Sequence, residues 1–364
     1  LKYDFAVIGG GPAGCIAARH AVKHGSVVLF EEHKKQPVQC AGLISRSGLE
    51  KLGIKPEDVL NEVNGAFLYS PTGTRVEIRA KNPKAYVLDR SEFDKQLLNE
   101  ATDAGVIFIN DFAEIDNNKK IIKTKNSGRE YEAGRVILAT GTNYNIHRTL
   151  NLDLPKKFWV GAQYELGVEC DPEMVELHFV VPNFFAWVIP VDGYARVGIC
   201  AFSNPTPLLD NFIKKLKKEG RIKNQKILAR SFGTIPVYNP SIRTQYGNLV
   251  TVGDAAGQVK ATTGGGVVMG GLAARFACEE NYEKLWRSEI GRELYLHLLI
   301  RKFLDGISEK TTDKLFKIIN ENKEIVEEKG DMDAASKLVF PLMKNPKFMA
   351  WMLLLTPRIF MDLI

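Results

Sequence analysis

The chain has 364 residues, 45% hydrophobic and 25% charged, the balance of a folded globular protein, and its length suits one large α/β unit or two interleaved domains. The net charge of +6 implies mild attraction to anionic surfaces or phosphorylated substrates, while the lack of an aromatic-plus-basic stripe argues against nucleic acid. Five scattered cysteines with no CxxC pair argue against a disulfide framework or zinc site and point to a reducing cytoplasm.

Residues 4–8 read as a short apolar strand ending in Gly9-Gly10-Gly11-Pro12-Ala13-Gly14. A helix to about His24 and a second strand, Val27 to Phe30, closing on Glu31, complete a βαβ unit. With a strand at the start there is no signal-peptide pattern, and no apolar run reaches the roughly 18 residues that span a bilayer. Residues 64–79 alternate around Pro71-Thr72-Gly73 as a hairpin. Ser91 to Ala104 reads as a helix capped by Ser91, with Phe93, Leu97, Leu98 and Ala101 on one face. Then come a strand at 106–109, a hairpin turning near Asn117-Asn118, and the strand 136–139. Residues 158–201 have the long alternation of an antiparallel sheet, with turns at Asp171-Pro172, Pro182-Asn183 and Asp192-Gly193. A basic helix at about 207–219 precedes the strand 248–252, and helix is expected from about 280 onward.

Two glycine motifs carry the chemistry. In Gly9-x-Gly11-x-x-Gly14, the first glycine permits a tight turn and the second lets a pyrophosphate approach the backbone. The third lets helix and sheet pack closely, while the helix start offers free N–H donors. Glu31 would accept from a ribose hydroxyl. In the second motif, Thr251-Val252-Gly253-Asp254-Ala255-Ala256-Gly257 runs on to Thr262-Thr263-Gly264-Gly265-Gly266-Val267. There the Asp254 carboxylate can hold a ribityl chain or ribose. The glycine run can lie against a flavin ring, and a helix from about Gly266 aims positive potential at it, favouring an anionic reduced flavin. Between the motifs, Leu88-Asp89-Arg90-x-x-Phe93-Asp94 opens a helix from which Arg90 can reach back to the flavin, and 136–141 forms another strand-to-glycine turn.

In this order the blocks resemble the para-hydroxybenzoate-hydroxylase-type FAD flavoproteins, and within them the geranylgeranyl reductase family. The resemblance covers residues 1 to about 280. It also rests on Cys40-Ala41-Gly42 and on Phe185-Ala186-Trp187-Val188-Ile189-Pro190, similar to that family's Tyr-x-Trp-x-Phe-Pro signature. Phe185 and Ile189 depart from that signature, and Ala139-Thr140-Gly141 departs from the usual Ala-Asp-Gly. The resemblance implies an α/β fold: a Rossmann-type FAD-binding domain of the two-dinucleotide-fold kind, an antiparallel β-sheet substrate domain and a C-terminal helical region. The FAD domain would take 1–60, 85–150 and 240–282, the substrate domain 61–84 and 151–239, and the helical region 283–364.

FAD contacts are implied at Gly9, Gly11, Ala13, Gly14, Glu31, Cys40, Ala41, Gly42, Arg90, Asp254, Gly266 and Val267, with Ala113 an adenine contact. Phe185, Trp187 and Ile189 share one face of a strand and would make an aromatic wall for an isoprenoid chain. An isolated trisubstituted alkene has no group to stabilise a carbanion, so hydride addition must be matched by a proton, and Cys40 is the candidate acid.

The expected activity is FAD-dependent saturation of geranylgeranyl chains, most of all in archaeal glycerophospholipids. The alternatives are a flavin monooxygenase or halogenase of the same superfamily, or a membrane-associated electron-transfer flavoprotein. No second nicotinamide-binding unit is legible, so NAD(P)H or a reduced ferredoxin-type protein would dock transiently. Lys214, Lys215, Lys217 and Lys218 offer a surface for an acidic carrier or a headgroup. The apolar stretch 348–361 suits peripheral association at the inner face of the cell membrane.

Overall fold

The computed structural model describes residues 1–33, 39–116, 121–181, 183–344, 346 and 349. The turn at Asn117-Asn118, Pro182 and, apart from Met349, the apolar stretch 348–361 lie outside the described residues.

An 8-stranded sheet carries the dinucleotide fold, with Val27–Phe30, Lys2–Ile8, Glu130–Leu138 and Leu249–Thr251 side by side and parallel. Their near-continuous Val, Ile and Leu content fits strands covered on both faces. One face packs on the helix Pro12–Ala21 and the helix Arg90–Asp103, through Ile16, Phe93, Leu97 and Ala101. Ala113–Ile115 pairs antiparallel with Ile121–Thr124, which pairs antiparallel with the start of Glu130–Leu138. The first helix stops at Ala21, short of the expected His24, with Arg19 and His20 in its last turn. Asp89, not Ser91, caps the next helix: its carboxylate accepts the N–H groups of Ser91 (2.9 Å) and Glu92 (3.3 Å). Arg90 is therefore the first helical residue.

A 7-stranded sheet runs in the order Ile222–Pro236, Phe158–Val168, Tyr194–Ala201, Ala186–Val191, Met174–His178, Gly65–Tyr69, Arg75–Arg79. It is antiparallel except where Met174–His178 meets Gly65–Tyr69 in parallel. Alternation sorts its two faces. Ala186, Val188, Val197 and Ile199 pack under Leu209, Phe212 and Leu216 of the helix Pro205–Lys218, while Phe185, Trp187 and Ile189 point the other way. Lys214, Lys215, Lys217 and Lys218 are exposed on the outer side of that helix.

Beyond residue 282 the described chain is helical, as expected. Among the described residues no helix is long and apolar enough to cross a membrane.

Candidate functional site

The parallel strands end together, and the turns that follow them converge. Gly9 has φ +107°, and an added Cβ there would lie 2.3 Å from the Ala139 carbonyl oxygen. A Cβ on Gly14 would lie 1.9 Å from the Gly9 carbonyl oxygen. Both positions thus require glycine, and the helix Pro12–Ala21 begins with no side-chain cap on Gly11, its first N–H groups free for an anion. Glu31 is buried, and its carboxylate accepts from Gly10 N at 2.7 Å and His33 N at 2.9 Å, a geometry that fixes it beside the glycine turn.

The second motif closes from the opposite side. Gly253 (φ +65°) starts a one-turn helix, its N–H held at 2.8 Å by the Gln258 side chain. Gln258 is tied through Tyr282 to the Thr251 carbonyl. Gly266 caps the helix Val267–Ala274, and a Cβ there would meet Asp254 Oδ1 at 2.6 Å.

Burial pushes the Asp254 carboxyl up to about 6, with Arg90 pulling the other way. Because this lies above the ordinary value of about 3.9, Asp254 favours the ligand-free fold fully only below about pH 4. That contribution disappears as pH rises through about 6. The Tm of ligand-free protein should therefore fall more between pH 4 and 7 than that of Asp254→Asn.

Arg90 is buried and pairs with Asp94 through Nε (3.0 Å) and Nη2 (3.1 Å). Burial opposes its charge, but the Cys40 sulfur and the Asp94 carboxylate beside it outweigh that and hold the guanidinium protonated. Cys40 is half-buried, and Gly42 N approaches its sulfur at 3.4 Å. The Cys40-Ala41-Gly42 loop is clamped by Arg196, whose Nη1 donates to Ala41 O (2.9 Å) and Leu88 O (3.1 Å) and whose Nε donates to Glu165 (3.1 Å).

A cavity of about 1780 Å³ joins these parts. That exceeds the roughly 300–1,000 Å³ of one small-molecule site and leaves room for a dinucleotide and a second ligand. Of the residues singled out in the sequence, its wall includes Gly11, Ala13, Cys40, Ala41, Arg90, Asp254, Gly266 and Val267, together with Phe185, Trp187 and Ile189. Gly9, Gly14 and Gly42 shape the turns behind that wall. Ala113 is buried in the sheet core at the start of its strand, away from the cavity lining. The aromatic side is a packed cluster: Phe184 stacks on Phe185 at 4.5 Å, Phe185 meets Trp187 edge-on at 6.4 Å, and Trp187 Nε1 donates to Gln163 at 3.0 Å.

Sequence reading missed Arg196, Gln163, Gln258 and Lys260. Arg196 and Lys260 each stand as one charge within an apolar or glycine-rich run, a signal open to notice. Gln163 and Gln258 leave no such mark.

Comparison with known proteins agrees with this geometry. A family model described as pyridine nucleotide-disulphide oxidoreductase matches residues 3–161. Digeranylgeranylglycerophospholipid reductase 2 of Methanothermobacter thermautotrophicus is 32% identical over 359 residues, covering 87% of this chain and 91% of that protein. Digeranylgeranylglycerophospholipid reductase of Methanosarcina acetivorans is 30% identical, covering 88% and 89%. The crystal structure of a geranylgeranyl bacteriochlorophyll reductase-like protein from Thermoplasma acidophilum superposes with a TM-score of 0.83 at 25% identity, covering 98% of this chain and 99% of that one. With glycine cradle, aromatic wall and full-length relatives in agreement, the chain belongs to the digeranylgeranylglycerophospholipid reductase family.

Proposed function

We propose that the protein is an FAD-dependent reductase that saturates the C=C bonds of geranylgeranyl chains on archaeal membrane glycerophospholipids. The observation that carries this reading is one continuous cavity running from an uncapped glycine turn to a wall of Phe185, Trp187 and Ile189. The residues present fit FAD: Gly9, Gly11 and Gly14 would admit a pyrophosphate, Glu31 beside the glycine turn would accept from a ribose, and Asp254, Gly266 and Val267 would border the flavin end. Bound FAD, once reduced, supplies the hydride.

The chain supplies the rest. The aromatic wall orients the isoprenoid tail and excludes water, so the only proton offered to the alkene is one the protein controls. Cys40, at the junction of cradle and wall, donates that proton to one alkene carbon as hydride reaches the other. The Arg90 guanidinium and the Gly42 N–H face the sulfur that is left negative. Arg196 holds the loop that carries the thiol. NAD(P)H or a reduced ferredoxin-type protein would deliver electrons by transient docking, and the enzyme would work in the cytoplasm against the inner face of the membrane.

The test is anaerobic. Reduced flavoprotein mixed with vesicles of geranylgeranyl glycerophospholipid should reoxidise as mass spectrometry shows two hydrogens added per saturated bond. Reoxidation only by oxygen with an aromatic substrate would replace this reading with a monooxygenase. Reoxidation by neither would leave an electron carrier.

A further inference from the structure

One buried charge on the cavity wall has no part in the hydride and proton steps. Lys260 lies between the Gly253–Ala256 turn and the helix Val267–Ala274, lines the cavity and is only 4% exposed. An ammonium taken out of water costs several kcal/mol unless paired, and here the pair comes from far along the chain. Its Nζ donates to Met332 O at 2.9 Å and to the Asp333 carboxylate, itself buried. Asp333 also accepts from the Ser45 hydroxyl, whose oxygen takes the Gly48 N–H at 3.0 Å. Apolar residues in place of both Lys260 and Asp333 could fill this space at equal or better stability, so packing alone does not call for the pair.

Its position is informative. The side chain lies beneath the glycine run: a Cβ on Gly265 would be 2.8 Å from Lys260 Cε and 3.1 Å from Nζ. The backbone closes the loop over it, Lys260 N donating to Gly265 O (3.2 Å) and Gly264 N to Lys260 O (2.8 Å). Its charge is felt next door. His297, whose ring meets the Thr262 hydroxyl at 2.6 Å, is pushed down to about 3 by burial and then by Lys260.

We infer that Lys260 tunes the flavin: its ammonium, set under the glycine run that cradles the isoalloxazine, raises the reduction potential of bound FAD, and Asp333 offsets part of that charge. The inference rests on FAD occupying this cradle. A cation in a water-poor site favours whichever oxidation state carries more negative charge. Removing the carboxylate and removing the ammonium must then move the potential in opposite directions. A clasp that only held the loop in shape would move both the same way, or neither.

The experiment is the midpoint potential of FAD bound to the full-length holoenzyme, with FAD affinity measured by fluorescence quenching. Asp333→Asn is expected to raise the potential by about 30 mV or more, tenfold in the two-electron equilibrium. Lys260→Met is expected to lower it by a similar amount, and Lys260→Arg to stay near wild type. If Lys260→Met does not fold, Lys260→Met combined with Asp333→Leu takes its place and should again lie below wild type. Shifts of the same sign, or none, in variants that keep FAD overturn the inference. A wild-type protein that refuses FAD overturns the flavin reading itself.

Discussion

Gly14→Ala should fold yet come off the column colourless, with FAD affinity reduced on the order of 100-fold, equivalent to about 2.8 kcal/mol. The added methyl would sit 1.9 Å from the Gly9 carbonyl oxygen and 3.1 Å from Ala139 Cβ. The first of these is backbone and cannot rotate aside. The helix Pro12–Ala21 must then move off the strand end, taking its free N–H donors away from the pyrophosphate position. Two stability terms oppose each other: alanine is better than glycine inside a helix by about 1 kcal/mol, and overpacking a tight contact costs about 1–3 kcal/mol. The net fall in Tm should be modest while the fall in FAD binding is large. Gly306→Ala, with nothing within 4 Å of the added atom, is the control and should leave FAD titration unchanged. Wild-type affinity in Gly14→Ala would mean that the glycine turn does not carry the cofactor.

What the sequence made legible is what short-range periodicity encodes. The βαβ unit was readable because Val27–Phe30 is a wholly apolar run and the three glycines sit at the spacing a strand–turn–helix needs. That Phe185, Trp187 and Ile189 share one face followed from strand alternation alone; that this face lines the cavity did not. Choices between near neighbours were harder. Asp89 and Ser91 are both good caps, and Asp89 won, which put Arg90 at the head of the helix facing Cys40. Long-range partners left no trace. Asp333 meets Lys260 across 73 residues and Ser45 across 288, and no local pattern encodes either pairing. The parallel meeting of Met174–His178 with Gly65–Tyr69 is likewise set by how the chain returns, not by the strands themselves.

Cys40→Ala is expected to bind FAD and accept electrons as the wild type does, and to lose alkene reduction by about 100- to 10,000-fold, the range a positioned general acid contributes. The reasoning starts from the substrate. Protonation of a trisubstituted alkene develops tertiary cation character on one carbon, so proton and hydride must arrive nearly together, and the acid must lie where the flavin end of the cavity meets the apolar wall. Cys40 is there, with Ala41 packed against the aromatic cluster and Arg90 on its other side. Once the proton has gone, the sulfur keeps a charge that the guanidinium and the Gly42 N–H can hold, so the transfer does not strand an anion among aromatic rings. Three readouts separate this role from packing. The flavin spectrum and the rate of flavin reduction should not change, while lipid mass spectrometry should show the double bonds intact. Cys40→Ser keeps the shape with a weaker acid and should fall between the two. Full turnover by the alanine variant would remove the thiol from the mechanism. The next acid to test would be Asp254, whose carboxyl burial pushes up to about 6, through Asp254→Asn.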